Sequence, residues 1–111
     1  MLITEPAKDK IPQIPKRRVW KFYLGMGPEQ TITLPKGAQV LSVGVQNENM
    51  HLWALVDPDA PRVDKNFYVV ATGEPCDYVR GMRFCGAAMM RDGALVFHVF
   101  EGSDEFVPAA K

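Results

Sequence analysis

The sequence predicts an all-β domain, mainly antiparallel, built as a sandwich or small barrel of about seven strands. Short segments rich in branched and aromatic residues recur along the chain, and clusters of Pro, Gly, Asn or Asp separate them. Several segments alternate polar and apolar residues, which is typical of half-buried strands. No segment has the length and caps of a helix of three turns.

The strand pattern gives a specific set of elements. An Asn-Glu-Asn connection after residue 46 and the Arg91-Asp92-Gly93 turn predict two hairpins. Alternation in the third strand predicts that Leu41, Val43 and Val45 share one face. The predicted strands span residues 17–24, 29–34, 39–46, 50–56, 66–72, 83–90 and 94–101, with one short turn of helix over 77–81.

Three predicted strands, 50–56, 66–72 and 94–101, carry apolar residues on both faces. A sheet that is wet on one side should alternate more cleanly, so a second layer or a partner must cover the other face. The chain is short, and its 13 acidic residues balance its 13 Lys and Arg residues. Little charge repulsion opposes association in such a protein, so we expect a homo-oligomer.

The chain reads as one domain over residues 17–102, with an extended arm rich in Pro and Lys over 1–16 and a tail over 103–111. No apolar run reaches the roughly 20 residues of a membrane span, and no signal peptide is recognisable. We therefore expect a cytoplasmic protein without membrane contact. The balanced charge argues against sequence-specific or general nucleic-acid binding.

No catalytic motif is recognisable, and we expect neither an enzyme nor a cofactor. Cys76 and Cys85 are nine positions apart, and His51 and His98 lie alone in separate strands, so no metal site is expected. Without a secretion signal both thiols should be reduced. Cys85 could meet His98 across a hairpin, but an apolar strand should raise its pKa and make it inert.

A ligand site is the more informative possibility, because basic and aromatic residues interleave in the first strand. Alternation places Arg18 and Trp20 on one face, and Arg17, Lys21 and Tyr23 on the other. A base can stack on a ring while an arginine pairs with phosphate. Core filling by the tryptophans and solvation of the arginines remain the alternatives. The candidate ligand-binding residues are Arg17, Arg18, Trp20, Tyr23, Trp53, Tyr78, Arg80 and Arg83.

The segments VWKFYL, TITLPKGAQVLSVGVQN, LWALVDP, TGEP and LVFHVFEG resemble a family of short phage and prophage proteins, labelled as a domain of unknown function. The resemblance covers residues 19–102. It implies a compact β fold and a phage or bacterial origin, and it supplies no activity and no catalytic residues.

By analogy with other small phage proteins, we hypothesise a non-enzymatic phage accessory protein that acts against host defence. It would work in the cytoplasm of the host cell, where it binds and sequesters a small anionic ligand such as a nucleotide immune signal. The alternative is a protein–protein interaction module, either an inhibitor of a host defence protein or a virion component.

Overall fold

The computed structural model describes residues 16–102, and in this range it confirms the all-β prediction. The predicted tail and all but Lys16 of the predicted arm lie outside the described residues. Within residues 16–102 a single 3-10 turn, Asp77–Val79, lies between the fifth and sixth strands. The strands are β1 Arg18–Tyr23, β2 Glu29–Pro35, β3 Gln39–Gln46, β4 Asn49–Val56, β5 Arg62–Ala71, β6 Arg83–Met90 and β7 Leu95–Glu101.

The strands form two antiparallel sheets, one of three strands in the order β1-β4-β3 and one of four in the order β2-β5-β7-β6. The two sheets stay separate within residues 16–102, which makes the fold a sandwich and not a closed barrel. Strands β3 and β6, from different sheets, approach each other closely. Gly86 permits this contact, because a Cβ there would lie 3.3 Å from the Cβ of Val43.

The core lies between the sheets and follows from strand alternation. Every second residue of β4, from Met50 to Val56, is buried, and Phe67 of β5 and Val99 of β7 face this row from the other sheet. Burial of such side chains contributes roughly 1.5–3 kcal/mol each relative to exposure. No helix within the described range is long and apolar enough to cross a membrane.

Strand β5 begins at Arg62, four residues before the predicted start at residue 66. Three of the four added residues are charged, which hid the strand from a search for apolar alternation. Pairing with β2 holds this segment extended: Val63 is opposite Leu34, and Thr33 donates a hydrogen bond to the carboxylate of Asp64.

A β-bulge in β3 changes the predicted face of that strand. Leu41 is the extra residue and is exposed, whereas Val40 and Val43 both face the core. The prediction that Leu41, Val43 and Val45 share one face is therefore wrong for Leu41, whereas Val43 and Val45 do share a face, opposite Leu52 and Met50. A bulge inserts one residue without a partner, so alternation changes phase at that point.

The outer face of the four-stranded sheet is partly covered by the chain itself. The segment between β5 and β6 lies against it, since the Tyr78 ring contacts the Tyr68 ring at 5.9 Å between centroids. Val70 points outward from this sheet yet is only 4% exposed, and Val79 of the 3-10 turn is buried as well. The covering segment explains much of the two-faced apolarity of β5.

Candidate binding surface

The outer face of the three-stranded sheet carries a row of three rings. Tyr23 of β1 lies opposite His51 of β4, and their ring centroids are 5.9 Å apart in an edge contact. His51 and Trp53 alternate with buried residues along β4, and their centroids are 6.1 Å apart. This row of Tyr23, His51 and Trp53 is called the ring row below.

Neighbouring groups fix the ring row in place. The indole of Trp53 lies over Gly44 of β3, where a Cβ would come within 3.4 Å of the ring. The Nδ1–H of His51 donates a hydrogen bond to the carbonyl oxygen of Asn49 over 3.2 Å. Tyr23 is well exposed, while His51 and Trp53 are half-buried. The face is thus a preformed aromatic platform.

The charged side chains of this sheet's strands are all positive, because β1, β3 and β4 contain no Asp or Glu. Lys21 lies opposite Trp53 and donates a hydrogen bond to the side-chain oxygen of Gln46 over 2.5 Å. Asp57, directly after β4, is 3.6 Å from the ammonium of Lys16. A ligand on the ring row therefore meets positive charge and no carboxylate within the sheet.

The structure divides the predicted ligand-binding residues into groups. Tyr23 and Trp53 share the ring row, and Arg17 is exposed directly before β1. Arg18 and Trp20 lie on the opposite face of β1, as alternation predicts. Trp20 packs against the core, 6.4 Å from the ring of Phe22, and the Arg62 guanidinium lies 5.6 Å from its ring centroid.

The remaining predicted residues belong to the other sheet. Tyr78 lies on the 3-10 turn against Tyr68, Arg80 follows that turn, and Arg83 begins β6 opposite Glu101. All three are exposed. A small ligand bound at the ring row would not reach this second group.

Sequence reasoning did not select Lys21 or His51 as site residues, although both lie within the ring row or beside it. The signal for them was present in the pattern. Alternation in β4 places His51 on the face of Trp53, and alternation in β1 places Lys21 on the face of Tyr23. The missing information was which strands are neighbours.

A polar group inside the sandwich was also missed. The ammonium of Lys65 lies 2.5 Å from the carboxylate of Glu101, and both side chains are largely buried. Cys85, at a bulge in β6, is 3.9 Å from the same carboxylate. Burial, followed by the negative charge of Glu101, raises the pKa of the Cys85 thiol to about 12. The thiol is therefore protonated and unreactive near neutral pH.

The possible pairing of Cys85 with His98 does not occur. His98 points to the outer face of its sheet, where its Nε2 is 2.9 Å from the hydroxyl of Thr72. Cys85 is instead beside Glu101. Within residues 16–102, no three His, Cys, Asp or Glu side chains come together as a metal site.

Comparison with known proteins places residues 15–109 in the family described as "Domain of unknown function (DUF7352)". The match spans most of the chain, so this protein belongs to that family. No curated protein and no solved structure matches it.

Proposed function

We propose that this member of the DUF7352 family is a non-enzymatic binding module that holds a nucleotide on the outer face of its three-stranded sheet. One observation carries the proposal: a fixed row of rings lies on a sheet whose three strands contain cations and no carboxylates. A nucleotide combines an aromatic base with negative charge, so it complements both features.

The contacts of such a ligand follow from the geometry. The base would stack on Trp53 or Tyr23, the two ends of the ring row. Lys21, opposite Trp53, would pair with phosphate in exchange for its bond to Gln46. Stacking of one base on one ring contributes about 1–3 kcal/mol to binding. Because Lys21 is exposed, its pairing with phosphate contributes only about 0.5–1 kcal/mol.

The biological role we propose for this binding is sequestration of a nucleotide immune signal by a phage accessory protein in the host cytoplasm. Resemblance to short phage and prophage proteins motivates the biological setting.

The proposal is tested by a thermal-shift screen against linear and cyclic nucleotides, followed by calorimetry on the best ligand. We expect saturable binding, loss of about 1–3 kcal/mol in Trp53→Ala, and recovery of unaltered nucleotide after denaturation. Chemically altered nucleotide would indicate an enzyme. If no nucleotide raises the melting temperature, this function is excluded.

A second candidate, a protein–protein interaction module, is favoured by one observation on the other sheet. Phe84 is 54% exposed, and its ring centroid lies 5.4 Å from that of Phe100 on the outer face of β6 and β7. Exposed apolar patches commonly mark interaction sites. We propose self-association through this patch. Light scattering at micromolar concentration should show a dimer that Phe84→Ser weakens, and a wild-type monomer would contradict the idea.

A further inference from the structure

A cleft of about 620 Å³ opens at the end of the sandwich where the β3–β4 and β6–β7 hairpins turn. Its volume is within the range of roughly 300–1,000 Å³ that is typical of small-ligand pockets. The cleft lies between the two hairpin tips and not on the ring row, so it is a separate feature of the molecule.

Five of the eight residues that line the cleft are apolar, and several of them are open to solvent. Met26 and Met89 are 53% and 66% exposed, and Val45 is exposed beside them. Met90 and Leu95, which are half-buried, also line the cleft. Methionine side chains adapt their shape to a bound group, so such a lining suits an apolar ligand.

The two hairpin tips carry side chains where glycine would be easier to accommodate. Glu48 and Arg91 both line the cleft, and their φ angles are 68° and 55°. Neither residue type is common in this left-handed region, which tight hairpin turns usually fill with Asn, Asp or Gly. Strain of this kind is a recurrent mark of functional sites, because glycine would remove both the strain and the side chain.

The charges around the cleft are also available to a ligand. Glu48, Arg91 and Asp92 line it together, one guanidinium with two carboxylates. Both ion pairs found between residues 16 and 102 involve other side chains, Lys16 with Asp57 and Lys65 with Glu101. The lining therefore offers charges of both signs beside an apolar surface.

We propose that this cleft binds a short apolar peptide with free termini. Arg91 holds the terminal carboxylate, Glu48 and Asp92 hold the terminal ammonium, and the methionines contact the apolar side chains. A zwitterion fits better than a fatty acid, whose single negative charge would face two carboxylates. No bond is formed or broken in this step. The site is independent of nucleotide binding at the ring row.

The test is calorimetry of the full chain with tri-leucine, its N-acetyl form and its C-terminal amide. We expect saturable binding of tri-leucine, weakened about fivefold by either cap, the effect of one partly exposed charge pair. Decanoate serves as the anionic apolar control and should bind more weakly than the peptide.

Three variants separate the effect of the strained turn conformation on stability from the effect of the side chain on peptide binding. Glu48→Gly and Arg91→Asn should each raise the melting temperature by relieving strain, yet weaken tri-leucine binding about fivefold or more. Asn47→Gly is the matched control: Asn47 also has a positive φ, 55°, but is not among the residues lining the cleft, so peptide affinity should not change. The proposal is overturned if both Glu48→Gly and Arg91→Asn bind tri-leucine as tightly as the wild type does. It is also overturned if decanoate binds more tightly than tri-leucine, or if tri-leucine shows no saturable binding.

Discussion

The two outer faces of the sandwich differ in how they meet solvent. On the three-stranded sheet, Val19 and Tyr23 are 56% and 64% exposed, and the ring row of Tyr23, His51 and Trp53 lies at the surface. On the four-stranded sheet, the segment carrying the 3-10 turn lies across the face and buries Val70 and Val79. Both faces are rich in apolar residues, yet only one has a cover within residues 16–102.

The two sheets also differ in charge, because only the covered sheet contains acidic residues in its strands. The covered sheet contains Glu29, Asp64 and Glu101, which hydrogen-bond or ion-pair with groups of their own sheet. The uncovered sheet contains no acidic residue. This difference teaches that an apolar face alone does not identify a binding surface. A face becomes a candidate when its rings are exposed and the strands beneath it contain no carboxylate.

The largest expected effect tests whether one face is really covered and the other open. Val79→Asp would place an unpaired carboxylate where the side chain is 8% exposed, and it should lower the free energy of unfolding by about 3 kcal/mol or more. Val19→Asp makes the same change on the open face, where the side chain is 56% exposed, and should cost about 1 kcal/mol or less.

Urea unfolding of both variants measures the two losses in free energy of unfolding. A large loss of stability in Val19→Asp would mean that the uncovered face is buried in solution, as in an oligomer. A small loss in Val79→Asp would mean that the segment between β5 and β6 does not hold its face closed.

The next effect concerns ligand binding on the two faces. Trp53→Ala should weaken nucleotide binding by about 1–3 kcal/mol, the contribution of one stacked base. Phe84→Ala removes an exposed ring from the outer face of the other sheet and should leave nucleotide affinity unchanged. Calorimetry with the nucleotide identified by thermal shift compares the two. Equal losses in both variants would contradict the assignment of the ring row as the binding surface.

Much of the fold was predictable because strand alternation is local. The limits of β3 and β6 agree with the sequence, and so does the hairpin joining β3 to β4. The start of β5 was missed because charged residues at 62–65 pair with β2, a partner about 30 residues away. The site was only partly predictable for the same reason. Alternation placed Tyr23 with Lys21, but only the β1–β4 pairing brings them to His51 and Trp53.

An effect of intermediate size is the pH dependence of stability caused by Cys85, which lies on the inner side of β6. Because the pKa of Cys85 is raised from 9.0 to about 12 in the folded protein, the unfolded chain loses this proton first as pH rises. The stabilisation is fully present below pH 9 and is lost progressively between pH 9 and 12. Since the thiol is partly exposed, the decline should be modest.

Urea unfolding at pH 7 and pH 10 measures this decline, with Cys85→Ala as the comparison. The wild type should lose more stability than the variant between the two values of pH. Cys76→Ala is the matched control and should behave like the wild type. An identical decline in wild type and Cys85→Ala would show that Cys85 is open to solvent and not held on the inner face.

The smallest expected effect separates charge from stacking on the open face. Lys21→Gln should weaken nucleotide binding by roughly 0.5–1 kcal/mol at low salt, because an exposed cation is well solvated and interacts weakly with a phosphate. At about 0.5 M salt this difference should nearly disappear, since screening then acts over only a few ångströms. The loss in Trp53→Ala should persist at both salt concentrations, because stacking is not screened. Lys36→Gln changes an exposed lysine beyond β2, on the turn to β3, and serves as the control. A salt-independent loss in Lys21→Gln would mean that Lys21 acts by ordering Gln46 beside the rings and not by attracting the anion.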